Sequence, residues 1–162
     1  MIHEHAAPPS PHHRARTQPI TAIVIHDTAS HTAASALSWF ANPASQVSAH
    51  VVIDRDGAIY RVVPDDRVAW HAGKSTLHAQ PNVNGFSLGV ELVDADDGVN
   101  DPYPEAQLNA AAEWCGIACA RYRIPLNRIV GHRDIAPGRK VDPGSDFAWS
   151  DFLLRVAWHQ LG

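Results

Sequence analysis

Apolar runs rich in β-branched residues alternate with helix-like segments along most of this chain, and this alternation limits the folds available to it. Residues 21–26 and 86–93 each form a run typical of a buried strand. Residues 48–54 and 58–63 predict an antiparallel hairpin around an Asp-Gly turn. Residues 104–123 repeat apolar side chains at helical spacing. The sequence therefore predicts an α/β fold with a mixed central β-sheet flanked by helices.

Length and charge exclude several classes of protein. The 162 residues fit one domain of ordinary size, and 45% of them are apolar, as in a folded globular protein. The 13 Lys and Arg against 17 Asp and Glu give a net charge of −4, and no basic cluster suited to nucleic acid is present. No apolar run approaches the ~20 residues that span a bilayer. We expect neither a nucleic-acid partner nor a membrane partner.

The first part of the chain differs in composition from the rest. Residues 1–18 are rich in Pro, His and Ala and lack the apolar stretch of a secretory signal. They are predicted to form a flexible leader, followed by one folded domain over residues 19–162. We expect the protein to be cytoplasmic and monomeric.

Three possible metal ligands lie where predicted secondary structure ends. His26 ends the first long strand, His132 follows a short strand at 128–130, and Asp142 comes ten residues later. Two imidazoles and one carboxylate suit Zn²⁺ and leave the fourth tetrahedral position to water. A histidine at a strand end can equally be a hydrogen-bonded surface residue, so spacing alone leaves both possibilities open.

Two further residues carry charges that such a metal site could use. Glu91 shares its strand face with the small residues Ser87 and Gly89, and a carboxylate there could act as a general base. Lys140 precedes Asp142 by two residues, so both side chains point the same way in an extended segment. Its ammonium could stabilise an oxyanion. An ordinary ion pair between Glu91 and Lys140 is the alternative.

The segments around these residues resemble the zinc-dependent N-acetylmuramoyl-L-alanine amidases of the amidase type 2 family, and most of all the AmpD-type members. The matching segments run in family order: residues 23–28, 47–53 with 55–57, 69–73, 84–91 and 131–144. The last of them, with its Lys-Val-Asp-Pro-Gly, is the most specific. The family shares its fold with phage lytic amidases and peptidoglycan-recognition proteins.

The resemblance implies a zinc cleft on one face of the sheet. It implies His26, His132 and Asp142 as zinc ligands, Glu91 as the catalytic acid and base, and Lys140 as the residue that stabilises the transition state. The implied reaction is hydrolysis of the amide between the lactyl group of N-acetylmuramic acid and L-alanine, in peptidoglycan or in muropeptides.

Four other residues are candidates for contact with the substrate. Trp70, His71 and Asn84 lie in a long polar loop predicted over residues 64–85, and His50 lies on the predicted hairpin. Each could line the cleft. The alternative for His50 and His71 is a structural hydrogen bond, for Trp70 it is core packing, and for Asn84 it is support of the loop before Glu91.

The resemblance leaves the biological role open. The chain could recycle released muropeptides in the cytoplasm, or it could be a phage endolysin that reaches the cell wall without a signal peptide. A non-catalytic peptidoglycan-recognition module is the alternative from another class. Because the metal ligands and the Glu91 and Lys140 pair are all present, the sequence favours the enzyme.

Overall fold

The computed structural model describes residues 2–96 and 102–161. The strands are β1 (Glu4–Ala6), β2 (His13–Ala15), β3 (Ala22–Asp27), β4 (Val51–Ile53), β5 (Ile59–Arg61), β6 (Arg67–Ala69), β7 (Thr76–Leu77), β8 (Gln80–Pro81), β9 (Ser87–Leu92) and β10 (Ile129–Gly131). The α-helices are α1 (Ala33–Ala41), α2 (Glu105–Tyr122), α3 (His132–Ile135) and α4 (Trp149–Leu161). Short 3₁₀ helices cover Val83–Phe86 and Leu126–Arg128.

The central sheet has six strands in the order β1-β5-β4-β9-β3-β10. Only the β4–β5 hairpin is antiparallel within it, and the other neighbouring pairs are parallel. This confirms the predicted α/β fold with a mixed sheet. Two pairs of short strands, β2 with β6 and β7 with β8, lie outside the central sheet, so the predicted long loop over residues 64–85 contains three short strands.

The two faces of the central strands differ in chemistry. On one face Leu88, Val90 and Leu92 of β9 pack in the main apolar core, together with buried side chains of α2 and α4. On the other face of the same strand lie Ser87 and Glu91, both buried and polar. The period-two alternation of β9 therefore separates an apolar core from a polar face, as the sequence predicts.

The N-terminal segment corrects one prediction. Residues 2–18 do not form a flexible leader, because β1 pairs with β5 at the edge of the central sheet and β2 pairs with β6. Arg16 anchors the end of this segment: its guanidinium donates hydrogen bonds to the carbonyls of Asp65, Gly85 and Arg67 at 2.8, 3.0 and 2.8 Å. These are specific polar contacts, which leave no periodic pattern in the sequence.

None of the helices in the described part of the chain is both long and apolar enough to cross a bilayer.

Candidate metal centre and cleft

Strand pairing brings the predicted metal ligands together. His26 lies at the end of β3, and His132 is the first residue after β10. Because β3 and β10 are parallel neighbours, with Gly131 beside Ile25, their carboxyl ends meet at one edge of the sheet. Asp142 reaches the same point from the loop between α3 and α4.

The three side chains form a triangle of metal-binding atoms. His26 Nδ1 lies 2.9 Å from His132 Nδ1, and Asp142 Oδ2 lies 3.1 Å from His132 Nδ1 and 3.3 Å from His26 Nδ1. All three residues are buried. Tetrahedral zinc with its usual bond lengths separates neighbouring ligand atoms by roughly 3.3 Å. The spacing of the triangle is therefore close to what zinc requires.

Protonation of the donors also suits a cation. His132 Nε2 lies 3.3 Å from the carbonyl oxygen of Ala72, which can only accept, and a neutral ring that donates there offers the lone pair of its Nδ1 to a metal ion. Burial, together with the charge of His132, lowers the pKa of His26 to about 4 although Asp142 opposes the shift. Burial works against ionisation of Asp142, but the close contacts of its carboxylate with His132 and His26 outweigh it and lower its pKa. At neutral pH His26 is thus a neutral imidazole and Asp142 a carboxylate, and together with the imidazole of His132 they form a donor set that fits Zn²⁺.

Glu91 lies directly beside this triangle. It is on β9, next to β3, in register with His26. Burial first, and then the charges of Asp142 and Asp27, raise its pKa well above the usual value, although Lys140 opposes the shift. Its Oε2 has no hydrogen-bond partner within residues 2–96 and 102–161. A buried carboxyl that holds its proton more strongly than usual, next to a metal site, is suited to acid and base catalysis.

The triangle lies in a cleft with a volume of about 400 Å³. Glu91, Trp70, His71 and Lys140 also line this cleft. Lys140 is exposed, so its ammonium lies at the solvent side, whereas Glu91 lies inside. The cleft therefore places a carboxylate and a cation near the same metal site.

The four candidates for substrate contact occupy different positions. Trp70 is half-buried, and His71 is buried. Nδ1 of His71 lies 2.9 Å from Nε2 of His26, the ring nitrogen that is not part of the triangle. Asn84 is not among the cleft-lining residues; its Oδ1 accepts hydrogen bonds from the backbone N–H groups of His71 and Ala72.

His50 corrects a further expectation. Its side chain is fully buried and absent from the cleft lining. Its Nδ1 accepts a hydrogen bond from the N–H of Gly89 at 2.9 Å, and its Nε2 lies 3.2 Å from the carbonyl of Arg67. A ring without exposed surface does not reach a substrate, so the structural alternative is the one that matches its position.

Two cleft residues have no counterpart in the sequence-based predictions. Arg139 donates hydrogen bonds to the carbonyls of Ala72 and Lys74 at 2.7 and 2.8 Å, across more than sixty residues of chain. Trp39 of α1 is half exposed at the rim of the cleft. Backbone carbonyls carry no side-chain signature, so nothing in the sequence could have pointed to the role of Arg139.

Comparison with known proteins decides the family. The amidase family described as N-acetylmuramoyl-L-alanine amidase matches residues 16–145, which cover most of the chain and all three triangle residues. The chain belongs to this family. Amidases of this family are generally zinc-dependent, and the His26, His132 and Asp142 site is consistent with that property.

Individual members of the amidase family are similar over much of the chain. The 1,6-anhydro-N-acetylmuramyl-L-alanine amidase AmpD of Citrobacter freundii is 41% identical over 111 residues, which cover 68% of this chain and 58% of that protein. The chain thus matches less than two thirds of the length of this curated relative. A crystal structure of a selenomethionine AmpD derivative has a TM-score of 0.78 at 32% identity and covers 94% of both chains.

A solved complex shows an amidase of the same family with substrate. The structure is that of AmiD from Escherichia coli with anhydro-N-acetylmuramic acid-L-Ala-D-γ-Glu-L-Lys. It has a TM-score of 0.76 at 30% identity and covers 88% of this chain and 60% of that chain.

Proposed function

We propose that this chain is a zinc-dependent N-acetylmuramoyl-L-alanine amidase, which hydrolyses the amide between the lactyl group of N-acetylmuramic acid and L-alanine. The observation that carries the proposal is the position of Glu91. A buried carboxyl with a raised pKa lies in register with a ligand of a zinc-compatible triangle, in a cleft that also holds a lysine. The membership of the amidase family supports the same reaction.

Each residue of the proposed site has a separate role in the reaction. His26, His132 and Asp142 would hold zinc, which when bound supplies a Lewis acid for the amide carbonyl and lowers the pKa of water. Glu91 accepts a proton from the attacking water as the new carbon–oxygen bond forms. It then delivers that proton to the leaving α-amine of L-alanine as the carbon–nitrogen bond breaks. Lys140 stabilises the negative charge that develops on the carbonyl oxygen.

The direct test uses the purified protein and a defined muropeptide. With zinc added, anhydro-N-acetylmuramic acid-L-Ala-D-γ-Glu-L-Lys should give anhydro-N-acetylmuramic acid and the free tripeptide, measured by mass spectrometry. Treatment with a chelator should abolish the reaction, and zinc should restore it. A folded protein that holds one zinc ion and leaves this bond intact would contradict the proposal and favour a non-catalytic recognition module.

We further propose that soluble muropeptides, not intact wall, are the preferred substrates. The similar AmpD protein is named for a 1,6-anhydro substrate, and a net charge of −4 gives no long-range attraction to anionic wall polymers. Turnover of the soluble fragment should exceed release of peptides from purified sacculi at equal muramoyl-alanine concentration. Efficient clearing of sacculi would instead favour a lysin. The monomeric state and the cytoplasmic location remain predictions.

A further inference from the structure

Hydrogen bonds from both ligand histidines lead to the same two consecutive residues. His71 and Ala72, which we call the orienting dipeptide, lie between β6 and β7. His71 Nδ1 is 2.9 Å from Nε2 of His26, and the carbonyl oxygen of Ala72 is 3.3 Å from Nε2 of His132. Each contact is on the side of the ligand ring away from the metal-binding Nδ1 atom.

The direction of the first contact follows from a chain of hydrogen bonds that ends at a carbonyl. The Ser87 hydroxyl donates to the carbonyl oxygen of Val83 at 2.7 Å, because a carbonyl can only accept. The Ser87 oxygen is then free to accept from Nε2–H of His71 at 3.1 Å. A neutral His71 with its proton on Nε2 has a lone pair on Nδ1. It therefore accepts from Nε2–H of His26, and the lone pair of His26 remains on Nδ1.

The orienting dipeptide is itself held in place from two sides. Asn84 Oδ1 accepts from the backbone N–H groups of His71 and Ala72 at 3.1 and 2.7 Å. The His71 ring lies directly on Gly89, where an added Cβ would come within 2.5 Å of the ring. This close approach requires glycine at position 89. Strand β9 thus supplies both the Ser87 hydroxyl, which sets the direction of the hydrogen bond between His71 and His26, and the space at Gly89 that accommodates the His71 ring.

We propose that the orienting dipeptide, through Ser87, fixes both ligand histidines in the Nε2–H tautomer and so sets the zinc affinity of the site. His71 and Ser87 are positioning residues in this scheme, not catalytic residues. Partners that lie behind metal ligands commonly change affinity by about 10- to 100-fold when they are removed. The proposal rests on zinc binding in the proposed function but not on the identity of the substrate.

The proton on His71 can be observed directly in the zinc-loaded protein. Long-range ¹H–¹⁵N correlation spectra distinguish the protonated from the unprotonated nitrogen of each imidazole. We expect His71 to carry its proton on Nε2, toward Ser87, which leaves its Nδ1 to accept from Nε2–H of His26. A proton on Nδ1 of His71 would overturn the proposal without any variant being made.

Zinc affinity provides a second and independent test, by competition with a chromophoric chelator. His71→Leu removes the acceptor and should weaken zinc binding by about 10- to 100-fold. His71→Asn places a carboxamide oxygen near the position of Nδ1 and should restore most of the affinity. Wild-type affinity in a folded His71→Leu protein would contradict the proposal.

Ser87 gives the sharpest comparison, because it contacts neither ligand. Ser87→Ala should weaken zinc binding by about tenfold, since His71 then loses the partner that fixes its proton. Ser10→Ala is the matched control: it deletes another buried serine hydroxyl, one that accepts from the backbone N–H of His12. Equal affinities for the two variants would overturn the role of Ser87. These measurements use zinc without substrate. If the tautomer and the affinities are as expected but the protein hydrolyses no muropeptide, only the proposed function is contradicted.

Discussion

The two faces of strand β9 show how one short segment serves two purposes. Leu88, Val90 and Leu92 are fully buried in the core shared with α2 and α4, where shape and apolar area determine the fit. Ser87 and Glu91, on the other face, are also buried but polar. There the fit depends on where protons lie and which atoms accept them.

Substitutions on the two faces should change different properties of the protein. The apolar face buries side chains that a smaller apolar residue replaces at a cost in stability. The polar face holds a carboxylate oxygen without a partner in the described part of the chain, and burial raises the pKa of that carboxyl. Such an arrangement opposes folding, and the proposed catalytic role of Glu91 accounts for it. We therefore expect variants of the polar face to affect activity and variants of the apolar face to affect stability.

The largest effect should come from removing a triangle residue on the polar face. In His132→Ala the site loses one of three ligands, so zinc binding and muramoyl-alanine hydrolysis should both be lost. We expect kcat/KM to fall by at least about 10⁴-fold, since enzymes accelerate reactions by about 10⁶-fold or more. Steady-state kinetics and zinc analysis check this. His159→Ala, at a half-buried histidine on α4, should keep both zinc and activity.

Glu91→Gln should separate catalysis from metal binding. Zinc should stay bound, while kcat falls by about 10²- to 10⁴-fold because the proton acceptor is gone. A rate near that of the wild type would remove Glu91 from the acid and base role.

The same variant should stabilise the metal-free protein at neutral pH. The folded-state pKa of Glu91 is raised, so its ionisation opposes folding once the pH exceeds the ordinary pKa of glutamate. The advantage of Glu91→Gln in free energy of unfolding should therefore be absent at lower pH, grow as the pH rises, and level off above the raised pKa. Urea unfolding at several pH values measures this trend, and an advantage that grows toward low pH would contradict it.

The apolar face should show the opposite behaviour. Leu88→Ala should lower the free energy of unfolding by about 2–5 kcal/mol, because it opens a cavity in the core. The kcat/KM of the folded enzyme should change little. Leu154→Ala is the matched control: that leucine is 72% exposed on α4, and its loss should cost less than about 0.5 kcal/mol. A Leu88→Ala protein of normal stability and impaired rate would break the division between the faces.

The sequence could predict both faces of β9 but not the hydrogen bonds behind the metal site. Alternation of side chains along residues 87–92 is a local property, and it places Glu91 opposite the apolar core. The convergence of His26 and His132 was predictable because side chains at the carboxyl ends of neighbouring parallel strands meet. The contact between Arg139 and Ala72 was not, since it joins a side chain to a distant backbone carbonyl.

The N-terminal segment shows the same limit of local patterns. Strand β1 has three residues, too few for a periodic pattern, and its side chains are not those of a buried strand. What holds it is the carboxylate of Glu4, which accepts from Arg61 at 2.7 and 2.9 Å and from the indole N–H of Trp114 at 2.8 Å. No composition rule identifies partners so far apart in the chain, and the prediction of a flexible leader was wrong for this reason.

Glu4→Gln tests whether a polar contact outside the cleft affects activity as well as stability. Burial works against ionisation of Glu4, but the bonds from Arg61 and Trp114 outweigh it and lower its pKa. The variant should lose about 1 kcal/mol at neutral pH, and this loss should disappear as the pH falls through the lowered pKa. Urea unfolding measures it, with Glu105→Gln as the control, because that ion pair with Arg155 is exposed and should contribute little. The kcat/KM should stay unchanged, since Glu4 is not among the residues that line the cleft. Reduced activity at full stability would show that the N-terminal strand supports the site and not only the sheet.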